Sequence, residues 1–279
     1  MLELHCHTTC SDGTLTPTEL VNAAVAAGVT VLAITDHDTL AGWDEAVTVA
    51  HDRPVEIVPG LELSTVHNGR SMHILGFYPD RQKLESPLQE RVAGRWRRAR
   101  KMVEKLTALG YPVQLPPVQD GLAPGRPHIA AQLVKAGYVR SSQEAFDRWL
   151  GDSRPAFVEY EKFAASEGIT LLRQCGAVPV WAHPYLFRGG NVEDVLPELV
   201  AAGLMGIEVY HPSHSPHQCQ TLQALCQHYE LLMTGGSDYH GPQLGNKQDD
   251  RHSGLNQLRL SVELLTPLKE AARALSNSI

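Results

Sequence analysis

The chain has 279 residues, 43% of them hydrophobic and 20% charged, with a formal net charge of -7. That length supports one large buried core rather than a small stapled scaffold, since barrel folds commonly run to about 250 residues as a single domain. No apolar run approaches the roughly 20 residues of a membrane span; five cysteines lack CxxC spacing, and Met1 to His5 resembles no signal peptide. A reduced, soluble, cytoplasmic protein is expected.

In chain order, the runs Leu2 to His5, Val31 to His37, Val55 to Ser64, Met72 to Tyr78, Val178 to Pro184, Ile207 to Pro212 and Leu231 to His240 read as strands, being short, apolar and often β-branched. The first intervening helix has a clear start, with Thr16 as N-cap, Pro17 at the first helical position and Glu19 completing a capping box; Gly28 ends it. Alternation of strands and helices predicts an α/β fold with parallel strands. Such strands, closing on themselves, carry functional loops at their C-terminal ends.

From Asp80 to Tyr160 the alternation stops. Leu88, Val92, Trp96, Ala99, Val103 and Leu106 form one helical stripe, a second helix is expected from Pro127 to Gly137, and a third from Ser142 to Leu150. This reads as a helical cap (80–160) inserted between barrel segments 1–79 and 161–279, with Gly121 to Pro127 as the loop over the barrel mouth. Nine of the 24 Lys and Arg residues fall between Arg81 and Gly110 against three Glu. Such an island is either a landing site for a polyanion or simply a solvated helix face.

Metal-type ligands gather where the strand runs end. His5 and His7 share a side by period-two geometry and can share an ion, whereas a lone His is more often structural. Asp12 suits either an Asx-turn ahead of Gly13 or a ligand beside that pair. In Asp36-His37-Asp38, His37 is the expected ligand, Asp36 a carboxylate orienting an imidazole, and Asp38 a cap for the next helix. Glu62 lies inside an apolar strand, where an unpaired carboxylate is costly, so it wants a cation and can bridge two. His73 and His183 are each evenly balanced between structural and metal roles. Asp238 and His240 alternate on one face of a glycine-flanked strand end, where backbone can approach an ion or phosphate closely. His51, His67, His228 and His252 read as surface residues, and His211, His214 and His217 as a loop triplet without assigned purpose.

Taken together, His5-x-His7, Ser11-Asp12-Gly13, Thr35-Asp36-His37-Asp38, Gly60-Leu61-Glu62, His73, Ala182-His183-Pro184 and Gly236-Ser237-Asp238-Tyr239-His240 resemble the successive motifs of the polymerase and histidinol phosphatase (PHP) superfamily. Gly125-Arg126-Pro127-His128-Ile129-Ala130, with Ala145-Phe146 and Leu150-Gly151, is similar to the branch of nucleoside 3',5'-bisphosphate phosphatases and short-RNA 5'-to-3' exoribonucleases. The resemblance implies a distorted seven-stranded β/α barrel holding two or three divalent ions, with manganese expected and zinc or iron as alternatives. By the same resemblance, His5, His7, Glu62 and Asp238 hold one ion, Asp12, His37 and His240 a second, and Glu62, His73 and His183 a third.

The implied chemistry is metal-dependent phosphoester hydrolysis without a protein nucleophile, the cations activating water and binding phosphate oxygens. Asp12 and His37 are the catalytic candidates, His37 or a water beside Asp12 supplying the leaving oxygen's proton. Arg126 and His128, at a helix start, are the expected binders of a second phosphate, with Arg95 adding to that site. The bland alternative leaves Arg126 solvated and His128 packing the cap. Trp96 sits mid-stripe, which favours core packing over stacking on a base. The expected substrates are nucleoside 3',5'-bisphosphates and short 5'-phosphorylated RNA; no membrane or protein partner is expected. The rivals are a histidinol-phosphate-type phosphomonoesterase, an amidohydrolase acting at carbon, and a noncatalytic nucleic-acid-binding metal domain. An Arg-rich cap suits an amino-alcohol imidazole poorly, and no lysine stands in the strand-end motifs, where an amidohydrolase would typically carry a carboxylated one.

Overall fold

The structure, a computed structural model, describes residues 1–115, 122–159, 161, 163–242 and 254–277. Seven strands pair in chain order: β1 (Leu2–Glu3), β2 (Val31–Ile34), β3 (Glu56–His67), β4 (Arg70–Phe77), β5 (Val178–Trp181), β6 (Gly206–Tyr210) and β7 (Leu232–Gly235). The sheet curls until its edges meet, where the Leu4 N–H donates to Gly235 O at 3.3 Å and the His7 N–H to Tyr239 O at 2.8 Å. This is the expected seven-stranded α/β barrel. Most strands are shorter than the apolar runs that announce them, because the runs continue past the paired residues into the rim loops that carry the site.

One expectation fails. β1, β2 and β3 are mutually parallel, as are β5, β6 and β7, but β4 pairs antiparallel to both β3 and β5. The cause is local: Asn68 and Gly69 link β3 to β4 with φ of 49° and 70°, the left-handed pair that a two-residue hairpin turn requires and Asn-Gly supplies. Reversal has a functional consequence. His73, near the beginning of β4, pairs with Ser64 near the end of β3, so a residue that starts its strand still reaches the rim where the other strands end.

Alternation along the strands divides the core. Val31, Ala33, Val58, Leu75, Phe77, Val178 and Val180 fill one cluster with Leu265, Leu268, Ala272 and Leu275 of the C-terminal helix Leu265–Ser276. Leu32, Ile34, Leu61, Leu63, Ile74 and Ile207 belong instead to a cluster shared with the surrounding helices. Among these, α1 (Pro17–Ala26) has the expected capping box, and α2 (Trp43–Ala50) packs beside it. The Lys269–Glu56 ion pair at 2.6 Å ties the C-terminal helix to the start of β3, the barrel end opposite the rim that carries the histidines and acids.

Between β4 and β5 the chain forms α3 (Arg81–Ala108), α4 (Arg126–Lys135), α5 (Ser142–Ala145) and a single π-helical turn (Phe146–Leu150). α3 joins two cores: Leu84 and Leu88 belong to the barrel's outer cluster, while Ala99, Met102 and Leu106 pack with Ile129, Leu133, Ala145 and Leu150 in a cluster of their own. Trp96 is 8% exposed and its indole N–H donates to Leu122 O, so it packs rather than presents a stacking face. The loop residue Gly121, the cap boundary at Tyr160 and the expected surface residue His252 lie outside the described residues.

The basic island is largely spent inside the chain. Arg81 pairs with Asp44, Arg97 with Glu90 and Glu161, and Arg95 with Asp38; Arg98 and Lys105 donate to Val158 O and Phe157 O; Arg91 lies over the Phe163 ring. A positive landing surface is therefore weaker than the sequence count suggests; Lys83, Arg97, Arg100, Lys101 and Lys105 lie on an exposed face of α3, whereas Arg95 and Arg98 are buried.

Candidate metal centre

His5 and His7 follow β1 where the backbone leaves the sheet, and both rings are fully buried. Gly236 permits this, since a Cβ there would lie 2.4 Å from His5 N and 2.6 Å from His5 Cβ; a Cβ on Gly13 would likewise lie 2.4 Å from His7 O. The glycines beside these motifs therefore serve close backbone approach.

The loop from Thr8 to Asp12 is held by Asp36, whose oxygens accept from Thr8 N at 2.7 Å, Thr8 Oγ1 at 2.7 Å and Ser11 Oγ at 2.6 Å. Asp36 thus orders a loop and touches no imidazole directly, contrary to the expectation; Ser11 Oγ, 3.4 Å from His7 Nδ1, is its nearest link to one. Asp38 does not cap a helix. With φ of 53°, it accepts from Ser64 N at 2.7 Å and Arg95 Nε at 2.5 Å.

Glu62 is the hub. Its Oε2 lies 3.3 Å from His5 Nε2, 3.2 Å from His7 Nε2 and 3.1 Å from His37 Nδ1, and its Oε1 lies 2.6 Å from His73 Nδ1 and 3.0 Å from His183 Nε2. Asp238 Oδ1 approaches His5 and His7 from the other side at 3.3 and 3.1 Å. Asp12 faces His240 Nε2 at 3.2 Å and His37 Nε2 at 3.6 Å. Among the described residues, three sets have all their ligand atoms within 4.8 Å of one another: His5, His7, Glu62 and Asp238; His7, Asp12, His37 and His240; and His37, Glu62 and His73. The third set contains His37 where the resemblance implied His183, whose Nε2 lies 3.0 Å from Glu62 Oε1 and whose ring stacks on that of His5.

The residues fit divalent ions. His5 Nε2, His7 Nε2, Asp12 Oδ1, His37 Nδ1, His73 Nδ1 and Asp238 Oδ1 are all buried without a hydrogen-bond partner, although they crowd one another at the distances above. They converge on shared points without the alignment of donors and acceptors, which is the arrangement a cation satisfies. Burial alone raises the Asp12, Glu62 and Asp238 carboxyls, but the surrounding imidazoles outweigh it and hold all three well below the usual range. Three carboxylates this close together, Glu62 buried and Asp12 and Asp238 partly so, need compensating positive charge, from protons or from metal. Burial pushes the His37 imidazole well below its ordinary value despite Glu62 and Asp12, leaving it neutral with a lone pair to give.

One buried carboxylate beside the cluster escaped the sequence reading. Glu208 of β6 is completely buried and lies 2.9 Å from His5 Nδ1, and the argument that singled out Glu62, a carboxylate inside an apolar strand, applies equally to it. His211 and His214 are buried beside this corner, His211 Nε2 being 3.8 Å from Asp238 Oδ2. His67 is not a surface residue either, its side chain being 13% exposed with Nε2 3.7 Å from Glu198 Oε2.

On the cap side, His128 Nδ1 accepts from Gly125 N at 3.0 Å, and burial lowers its pKa, so the ring is neutral with its proton on Nε2. A Cβ on Gly125 would lie 3.6 Å from Asp12 Oδ2 and 3.6 Å from Arg95 Nη1, so the start of α4 reaches the rim itself. Arg95 is committed to Asp38 and Ser64. Arg126 uses Nη1 on Asp152 Oδ1 at 3.0 Å and Leu150 O at 3.3 Å, its guanidinium lying near the Phe146 and Phe157 rings.

The comparisons agree with this geometry. The PHP domain pattern matches residues 3–113. A 5'-3' exoribonuclease from Haemophilus influenzae is 38% identical over 86% of this chain and 90% of its own length, and a 3',5'-nucleoside bisphosphate phosphatase from Chromobacterium violaceum is 31% identical over 88% and 89%. A Bifidobacterium adolescentis structure described as a metal-dependent phosphoesterase superimposes with a TM-score of 0.85 at 30% identity, over 97% of this chain and 96% of the other. No helix among the described residues is long and apolar enough to cross a membrane. This chain belongs to the PHP-domain family of metal-dependent phosphoesterases.

Proposed function

We propose that the enzyme removes the 3'-phosphate of nucleoside 3',5'-bisphosphates and trims short 5'-phosphorylated RNA from its 5' end, residues 80–160 acting as the substrate-binding cap. The observation carrying this reading is the placement of the α4 start, with Gly125 and His128, directly beside Asp12 of the ligand cluster. A nucleotide whose 5'-phosphate rests on the cap can then lay its 3' side over the ligands. The same register serves both substrates, which differ only in what leaves with the 3' phosphorus.

His5, His7, Asp12, His37, Glu62, His73, His183, Asp238 and His240 are assigned as holders of two or three ions, manganese being expected from the imidazole and carboxylate donors, with zinc or iron as alternatives. When bound, such ions supply Lewis-acid charge to phosphate oxygens and lower the pKa of water. The chain's own contribution is orientation. Glu62 keeps five imidazoles from four segments on one carboxylate, and Asp36 fixes the loop that delivers Asp12.

For the 5'-phosphate, the first turn of α4 offers free N–H groups and Arg126 retains Nε and Nη2, while His128, hydrogen-bonded to the Gly125 and Ser11 backbone, holds that turn against the rim. Arg95 supports this edge through Asp38 instead of contacting phosphate with its whole fork. The lowered pKa of His37 makes it a poor proton donor at neutral pH, so a water held by Asp12 is the better source of the leaving oxygen's proton.

Rates on adenosine 3',5'-bisphosphate, 3'-AMP, 5'-AMP and a 5'-phosphorylated trinucleotide with purified manganese-loaded enzyme test this reading. The bisphosphate should outrun 3'-AMP by roughly 10-fold to 100-fold in kcat/KM, the value of one charge-assisted hydrogen bond. Equal rates on these two would remove the 5'-phosphate pocket, and no cleavage of the trinucleotide would remove the RNA activity.

A further inference from the structure

Glu208 has two oxygens and two fixed partners. Oε1 lies 2.9 Å from His5 Nδ1, and Oε2 accepts the His183 backbone N–H at 2.8 Å. Both Glu208 and His5 are fully buried, so water cannot substitute for either bond. His183 adopts φ of 32°, a left-handed conformation that is unfavourable for a residue with a Cβ and persists only where its surroundings hold it.

Resting on the metal assignment above, we propose that Glu208 is the positioning residue of the centre: it fixes the tautomer of His5 and the strained backbone turn of His183 with one carboxylate. A carboxylate facing His5 Nδ1 requires the proton there. The lone pair of Nε2 is thereby turned toward Glu62 and Asp238, where it lies 3.3 Å from each. A metal-ligating imidazole needs its outer nitrogen anchored in this way, and losing such an anchor costs roughly 10-fold to 100-fold in metal affinity.

The substitution Glu208→Gln has a defined chemical effect. The His183 N–H can only donate, so it claims the carbonyl oxygen of the new side-chain amide and leaves the amide NH2 facing His5 Nδ1. His5 must then accept there and carry its proton on Nε2, which removes that nitrogen from the ligand set.

Manganese titration of the whole chain should find one ion of the wild type weakened by about 10-fold to 100-fold in the variant, with the remainder unchanged. A merely structural loss would lower the thermal midpoint without singling out one ion. Long-range proton–nitrogen NMR of the zinc-loaded wild type, which needs no variant to fold, should place the His5 proton on Nδ1. A proton on Nε2 there, or wild-type affinity for every ion in Glu208→Gln, overturns the proposal. Absence of any ion binding by the wild type would instead sink the metal assignment on which it rests.

Discussion

His5 and His7 aim their Nε2 atoms at the same two oxygens, at 3.3 and 3.2 Å from Glu62 Oε2 and 3.3 and 3.1 Å from Asp238 Oδ1. Four side chains from three distant segments thus define one point. The site's chemistry depends on keeping that convergence.

Glu62→Gln should be the most damaging conservative change, because it halves the acceptors at the hub and removes the charge that opposes five imidazoles. A fall in kcat/KM on the order of 10^3-fold, about 4 kcal/mol, is expected, with fewer ions bound per chain. Metal analysis alongside steady-state kinetics checks it; full occupancy with unchanged rate would rule out the bridging role.

Chelation should abolish turnover and lower thermal stability, since buried ligand atoms then lack partners. At a metal concentration about 100 times Kd, linkage gives about 2.7 kcal/mol, a rise in Tm of about 5 to 10 °C. Differential scanning fluorimetry with and without manganese measures the shift. An unchanged Tm would contradict the ligand assignment.

Gly236→Ala should displace His5, because the added methyl falls within 2.6 Å of its backbone and Cβ. A loss of about 1 to 3 kcal/mol in stability is expected, together with weaker metal binding. Denaturant unfolding and manganese titration report the two effects separately.

Arg95→Ala strands the Asp38 carboxylate, which is 2% exposed, and should cost about 3 to 5 kcal/mol. Adding Asp38→Asn should recover part of that loss, because the charge disappears while an oxygen remains for Ser64 N. A double variant as unstable as the single one would show that the pair is not the cause.

Glu3 gives a pH dependence of known sign. Burial pushes its carboxyl from 4.5 up to about 7, against the N–H groups of Asn256 and Ser237. A raised carboxyl favours the protonated form in the fold, so its contribution is complete below the unfolded value and is lost as pH rises through about 7. The stability of wild type relative to Glu3→Gln should therefore decline by about 2 to 3 kcal/mol between about pH 5 and 8. A flat difference across that range would refute the assignment.

Much was legible before folding because it is local. Strand runs, the Thr16 capping box and the period-two pairs His5-x-His7 and Asp238-x-His240 depend on neighbours a few residues away, and the expensive carboxylate at Glu62 announced itself by its apolar context. The same logic passed over Glu208, and the Asn68-Gly69 turn was readable but unused.

By itself the sequence determined which side chains are of ligand type and that they stand at strand ends. Tertiary structure alone decided which atoms share a point, that β4 runs backwards to bring His73 to the rim, and that Asp36 and Asp38 hold backbone and Arg95 rather than an imidazole or a helix end. The physical reason is separation: His5 and Glu208 are 203 positions apart, and Glu62 and His183 are 121. Local propensity has no term for such pairs, whereas closing the barrel fixes their distance to within a hydrogen bond.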